Sequence, residues 1–119
     1  DRFVRRGAWG EAAAATFLEK QGYCIVARNF TVRGGEIDLI AQQGRFLVFV
    51  EVKTRRSDKF SHACEAVDAA KQRRLILTAQ HWLSTHPTSL QPRFDVIEVY
   101  GSEHDPAHRI HHIQNAFDG

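Results

Sequence analysis

The chain has 119 residues, 43% hydrophobic and 25% charged, which is ordinary globular usage: enough for one core, too short for two, and unlike a disordered chain or a coiled coil. The net charge of +2 conceals an asymmetry, because residues 1–60 carry eleven Lys and Arg against seven Asp and Glu, whereas residues 61–119 carry five against seven. The longest apolar run, residues 46–50, falls far short of the roughly 20 residues of a membrane span, and two cysteines without a CxxC spacing point away from a disulfide framework.

A single domain over residues 1–119 is therefore expected, without membrane contact, and a reducing compartment, the cytoplasm, is the expected location. The chain opens at Asp1 and contains no methionine, so a short preceding piece is expected.

Residues 7–21 predict a helix, with Trp9, Ala12, Ala13, Thr16 and Phe17 recurring as an apolar stripe and Gly22 as its stop. Residues 23–30 are rich in Tyr, Ile, Val and Phe and predict a strand. Gly34 and Gly35 turn the chain into two further strands, residues 35–40 and 46–53, joined by Gln42, Gln43, Gly44 and Arg45. So short a connection implies an antiparallel hairpin. A second helix is expected over residues 64–84, with Val67, Ala70, Leu75, Thr78, Ala79 and Trp82 on one stripe. Pro87 and Pro92 end it, residues 94–100 form an alternating strand, and residues 109–117 close the chain in an element whose type the pattern leaves open. Three consecutive strands suggest a meander, to which the last strand, arriving through a helix, adds by a crossover in a mixed sheet. Trp9 and Trp82 are read as core.

The chemistry concentrates in the hairpin. Glu51 and Lys53 lie two residues apart on one strand and share a face, while Asp38 sits on the neighbouring strand. Two carboxylates at adjacent strands offer hard oxygen ligands suited to Mg²⁺ or Mn²⁺, and Lys53 beside them can position a water or act as a base. The simpler alternative is a cross-strand ion pair. Arg55, Arg56 and Lys59 follow in a basic loop, which suits a polyanion such as nucleic acid, although such residues also serve merely to solvate a face. Glu36 is read as a turn or solvent residue, Arg93 and Asp95 as a structural ion pair, and the histidines at 104, 108, 111 and 112 as a polar tail without a second ligand cluster.

On these residues the chain resembles the PD-(D/E)xK nuclease superfamily, with Asp38 and Glu51 in the metal-binding places, Lys53 in the catalytic one and Ile37 where the name has Pro. The resemblance implies an α/β, restriction-endonuclease-like αβββαβ core with a mixed central sheet flanked by helices. Glu11 matches the helical acid of archaeal-type Holliday junction resolvases. Lys71 and Arg74 resemble helix residues that approach phosphates in several members.

A closer resemblance is to the YraN-type bacterial family, carried by Gly10-Glu11-Ala12-Ala13, Ala27-Arg28-Asn29-Phe30, Gly35-Glu36-Ile37-Asp38, Val50-Glu51-Val52-Lys53 and Asn115-Ala116-Phe117. Ser61-His62 departs from it where the family tends to have Gly. What these resemblances imply is a Mg²⁺-dependent endonuclease acting on nucleic acid, with branched DNA as its most concrete substrate and a homodimer as the form similar resolvases take. The alternative is a non-catalytic nucleic-acid- or protein-binding module on the same scaffold.

Overall fold

In the computed structural model, which describes residues 8–55, 67–104 and 109–119, α1 (Ala8–Lys20) precedes three strands, β1 (Cys24–Val32), β2 (Gly35–Gln43) and β3 (Phe46–Arg55). Then come α2 (Ala69–Thr85), β4 (Gln91–Tyr100) and β5 (Arg109–Phe117). The described strands form one sheet in the order β1-β2-β3-β4-β5. The first two pairings are antiparallel, β3 and β4 are parallel, and β5 returns antiparallel to β4. This is a mixed α/β sheet of the restriction-endonuclease-like kind.

The hairpin forms because Gly44 takes φ +56°, which leaves a two-residue connection between Gln43 and Phe46. The β3 to β4 step is parallel and so needs a crossover, which α2 supplies. β3 lies at the centre and is buried on both faces. Val48, Val50 and Val52 pack with Ala14, Ala15 and Leu18 of α1, whereas Leu47 and Phe49 pack with Leu75, Ala79 and Trp82 of α2. A strand covered on both faces reads as a continuous apolar run, which is why residues 46–50 show no alternation.

Several boundaries and faces differ from the sequence expectation. The buried side of α1 is Gly10, Ala14, Ala15 and Leu18, whereas Ala12 and Thr16 are exposed. Close packing selects this face: a Cβ on Gly10 would collide with Oγ1 of Thr54 in β3. α2 begins at Ala69, behind Asp68, whose Oδ1 accepts from the Lys71 N–H at 2.8 Å as an N-cap. Val67 is core but not helical, Ala70 is exposed, and Cys64, Ser61 and His62 lie outside the described residues. Trp82 is core, Trp9 is half-buried, and Cys24 is exposed. The closing element is a strand. Among the described residues no helix is long and apolar enough to cross a membrane.

Candidate metal and phosphate site

The β2 to β3 ladder runs from Gln43 opposite Phe46 to Leu39 opposite Val50. One further step would set Asp38 opposite Glu51, but there a side chain takes over from the backbone: the Val52 N–H donates to Asp38 Oδ2 at 2.8 Å. The strands therefore part with their last donor satisfied. Asp38 and Glu51 stand at this fork, 7% and 6% exposed, with their carboxyl groups in hydrogen-bond contact.

Two buried carboxyl groups side by side cannot both ionise cheaply. Burial first and the Glu51 charge second push the Asp38 carboxyl up to about 8, against the opposing pull of the Val52 N–H, and the Glu11 charge adds to the rise. Two ammonium groups face the pair. Lys53 Nζ lies 3.4 Å and Lys71 Nζ 2.6 Å from the same oxygen, Glu51 Oε2. Burial, then the neighbouring Lys71, lowers the Lys53 pKa although Glu51 resists. Burial also acts to lower Lys71, but its hydrogen bond to Glu51, the Glu51 charge and the smaller pulls of Lys53 and Asp38 together outweigh this and raise it.

All four residues line a cleft of about 1210 Å³, together with Glu11 and Trp9 of α1, Glu36 of β2, Arg74 of α2 and the segment from Gly101 to His104. Gly35 lets α2 approach this end of the sheet, since a Cβ there would strike Thr78 Oγ1, which donates to the Arg74 carbonyl at 2.7 Å.

Asp38, Glu51, Lys53, Glu11, Lys71 and Arg74 are thus brought together. Lys71 is more than a surface cation, because it is bonded to Glu51. Glu36 is half-buried on the cleft wall, where its Oε2 accepts weakly from Thr31 Oγ1 at 3.4 Å. Arg55 ends β3 with its Nε 3.4 Å from Glu98 Oε2, so it is a tethered cation at the strand end. Arg56 and Lys59 lie outside the described residues.

Glu98 is a residue that sequence reasoning missed. It is fully buried, pairs in register with Lys53, and also meets His111 Nδ1 at 3.2 Å. Its signal was a lone carboxylate inside a β-branched run. Asp95 is likewise engaged, with Arg93 Nε and Nη2 each at 2.9 Å and His112 Nε2 at 2.7 Å, which accounts for two of the tail histidines as packed partners of acids.

The donor set fits a small hard cation held partly by water. Among the described residues no group of three or more His, Cys, Asp or Glu is placed to hold a metal ion, which suits neither structural zinc nor an all-protein calcium cage. Mg²⁺ or Mn²⁺ bound through one or two carboxylates and several waters needs no such group. The Lys71 ammonium against Glu51 stands where a positive charge is wanted.

The raised Asp38 pKa has a thermodynamic consequence. With divalent ions chelated, folded Asp38 keeps its proton up to about pH 8, whereas unfolded Asp38 releases it near 3.8. Between these values the folded chain binds more protons, so this stabilisation is complete below about pH 4 and is lost as pH rises through about 8. Urea midpoints in EDTA should therefore decline from pH 5 to 9 more steeply for the wild type than for Asp38→Asn, which cannot ionise. Parallel profiles would show that Asp38 does not hold its proton.

Residues 10–99 match the model of the uncharacterised protein family UPF0102. A UPF0102 protein of Symbiobacterium thermophilum is 54% identical over 114 residues, covering 95% of this chain and 96% of its own. Another, from Caldanaerobacter subterraneus, is 47% identical over 113 residues with 93% of each covered. A third, from Caldicellulosiruptor saccharolyticus, is 45% identical over 112 residues, covering 93% of this chain and 95% of its own.

Proposed function

The chain belongs to the UPF0102 family, and from the cleft it carries we propose that it is a Mg²⁺- or Mn²⁺-dependent endonuclease that hydrolyses phosphodiester bonds in nucleic acid, with branched DNA as the substrate class. The observation that carries this reading is the buried contact between Asp38 and Glu51, with the Lys53 ammonium on Glu51 at the wall of an open cleft. A scaffold needs Asp38 at most to accept from the Val52 N–H, and gains nothing from a second buried carboxyl group set against it, which costs stability.

Asp38 and Glu51 would hold the cation, with Glu11 near enough to add its charge. When bound, such a cation neutralises charge on the phosphate and lowers the pKa of an attacking water. The protein's own groups do the remaining work. Lys53, on the same side of β3 as Glu51, orients the water through Nζ and balances negative charge developing at phosphorus. Its lowered pKa also leaves more of Nζ as the free amine, able to take a proton, than in an ordinary lysine. Arg74 sits exposed on the cleft wall and offers a fork of donors to a backbone phosphate. Arg55, braced by Glu98, extends the positive margin at the end of β3.

The test is incubation with flaps, forks, four-way junctions, duplexes and single strands of DNA and RNA, in Mg²⁺ or Mn²⁺ and in EDTA. Cation-dependent cleavage of at least one branched substrate is expected. No cleavage of any substrate, with binding intact, would transfer the protein to the binding-module class.

Binding has its own expected signature. Arg74→Glu should weaken association with all nucleic acid sequences to a similar degree and flatten its salt dependence by about one to two counterions, since phosphate contacts act through ion release. Fluorescence anisotropy across a salt series measures this, and an unchanged slope would remove Arg74 from the interface.

A further inference from the structure

Glu51 carries two ammonium groups on one oxygen, Lys71 Nζ at 2.6 Å and Lys53 Nζ at 3.4 Å. Strand geometry accounts for only one of them. Lys53 follows Glu51 by two residues on β3 and must share its face. Lys71 arrives from α2, in the first turn behind the Asp68 cap, where no acidic residue accompanies it. A cation in that turn meets the positive end of the helix dipole, so helix formation alone disfavours it. What holds it is Glu51, a side chain only 7% exposed.

Resting on the metal-site reading above, we infer that Lys71 is an exchangeable counter-ion: its ammonium occupies Glu51 Oε2 until a divalent cation takes that oxygen, and then swings into the cleft to meet a substrate phosphate. Like charge forces the exchange, because a dication between Asp38 and Glu51 would stand beside an ammonium in a poorly solvated site. The stem of lysine is flexible, and the Lys71 side chain is 32% exposed, so its path into the cleft is open. Arg74, on the next turn, waits on the same wall, which gives one phosphate two cations. Coupling of this kind is reciprocal. Lys71 weakens cation binding in the empty cleft, and a phosphate that captures Lys71 strengthens it, so cation and substrate load together.

Calorimetric titration of Mn²⁺ into the wild type and Lys71→Gln tests the exchange. The variant is expected to bind Mn²⁺ at least about fivefold more tightly, and binding by the variant with none measurable in the wild type supports the inference equally. If the wild type binds and the variant binds equally or more weakly, the exchange is overturned while the metal-site reading stands. If neither binds millimolar Mn²⁺, the metal-site reading falls and takes the exchange with it. A second measurement needs no variant fold: in wild type labelled with ¹³C-lysine, the Lys71 Cε resonance should move on Mg²⁺ titration to the position of exposed lysines, with the half-saturation of binding. A resonance that stays in place through saturation overturns the exchange.

Discussion

Asp38→Asn and Glu51→Gln are each expected to lower cation-dependent cleavage by at least about a hundredfold, with affinity for the same nucleic acid in EDTA, where no cation couples to it, lowered by less than about twofold. The asymmetry follows from when the interactions act: carboxylates that hold a cation stabilise charge appearing at the scissile phosphate, whereas ground-state affinity comes from cations spread along the cleft. The amides keep size and polarity. Asn in particular keeps an oxygen to accept from the Val52 N–H, so the fork between β2 and β3 stays capped. Paired assays of cleavage rate and anisotropy on one substrate separate the two quantities. Equal loss of both would make these residues part of the binding surface, and loss of neither would end their catalytic assignment.

The second large effect lies on β4, in a network separate from the cleft. Asp95 is 1% exposed and takes hydrogen bonds from Arg93, His112 and the Asn115 N–H, which together hold its carboxyl below the usual carboxylate range despite burial. Arg93 also donates to the Tyr23 hydroxyl at 2.7 Å, linking β4 to the start of β1. Arg93→Met should therefore cost about 3–5 kcal/mol, the range for stripping one partner from a buried pair. Urea unfolding measures it, and a loss below about 1 kcal/mol would show that His112 and the backbone suffice for Asp95. Replacing both partners, as Arg93→Met with Asp95→Leu, should recover much of the loss, because no buried charge remains.

How much of this was legible in the chain depends on how local the cause is. The hairpin was readable because two apolar strand-like runs and a short connection containing Gly44 coincide within 20 residues, and the parallel addition of β4 followed from the intervening helix. The buried face of α1 was not readable: in an Ala-rich helix the sides hardly differ in hydrophobicity, and close approach to Thr54 chose the side bearing Gly10. β5 stayed ambiguous because it half-buries side chains on both faces. Ile110 joins the α1 side and Ile113 the α2 side, and Asn115, at φ +51°, breaks the period near the register shift opposite Phe94 and Val96. The convergence of Asp38, Glu51 and Lys53 on one cleft could be anticipated from side-chain alternation. The Lys71 contact could not, since it depends on how the crossover helix seats, and the bracing of Arg55 by Glu98 depends on β4 register.

The side-chain cap at the β2 to β3 fork bears on how relatives of this protein should be interpreted. Asp38 answers to two masters, since a sheet that splays at this point needs an acceptor for the Val52 N–H whether or not any chemistry takes place beside it. A lineage that lost catalysis would still be under pressure to keep Asp or Asn there. Among the described residues Glu51 has no such second employment, because its backbone is already paired with β4 and its side chain meets the lysines of the cleft. Among UPF0102 sequences, then, the position of Glu51 is the more diagnostic marker of the proposed site: drift there, with the fork residue retained, is the pattern expected of a member without the proposed activity.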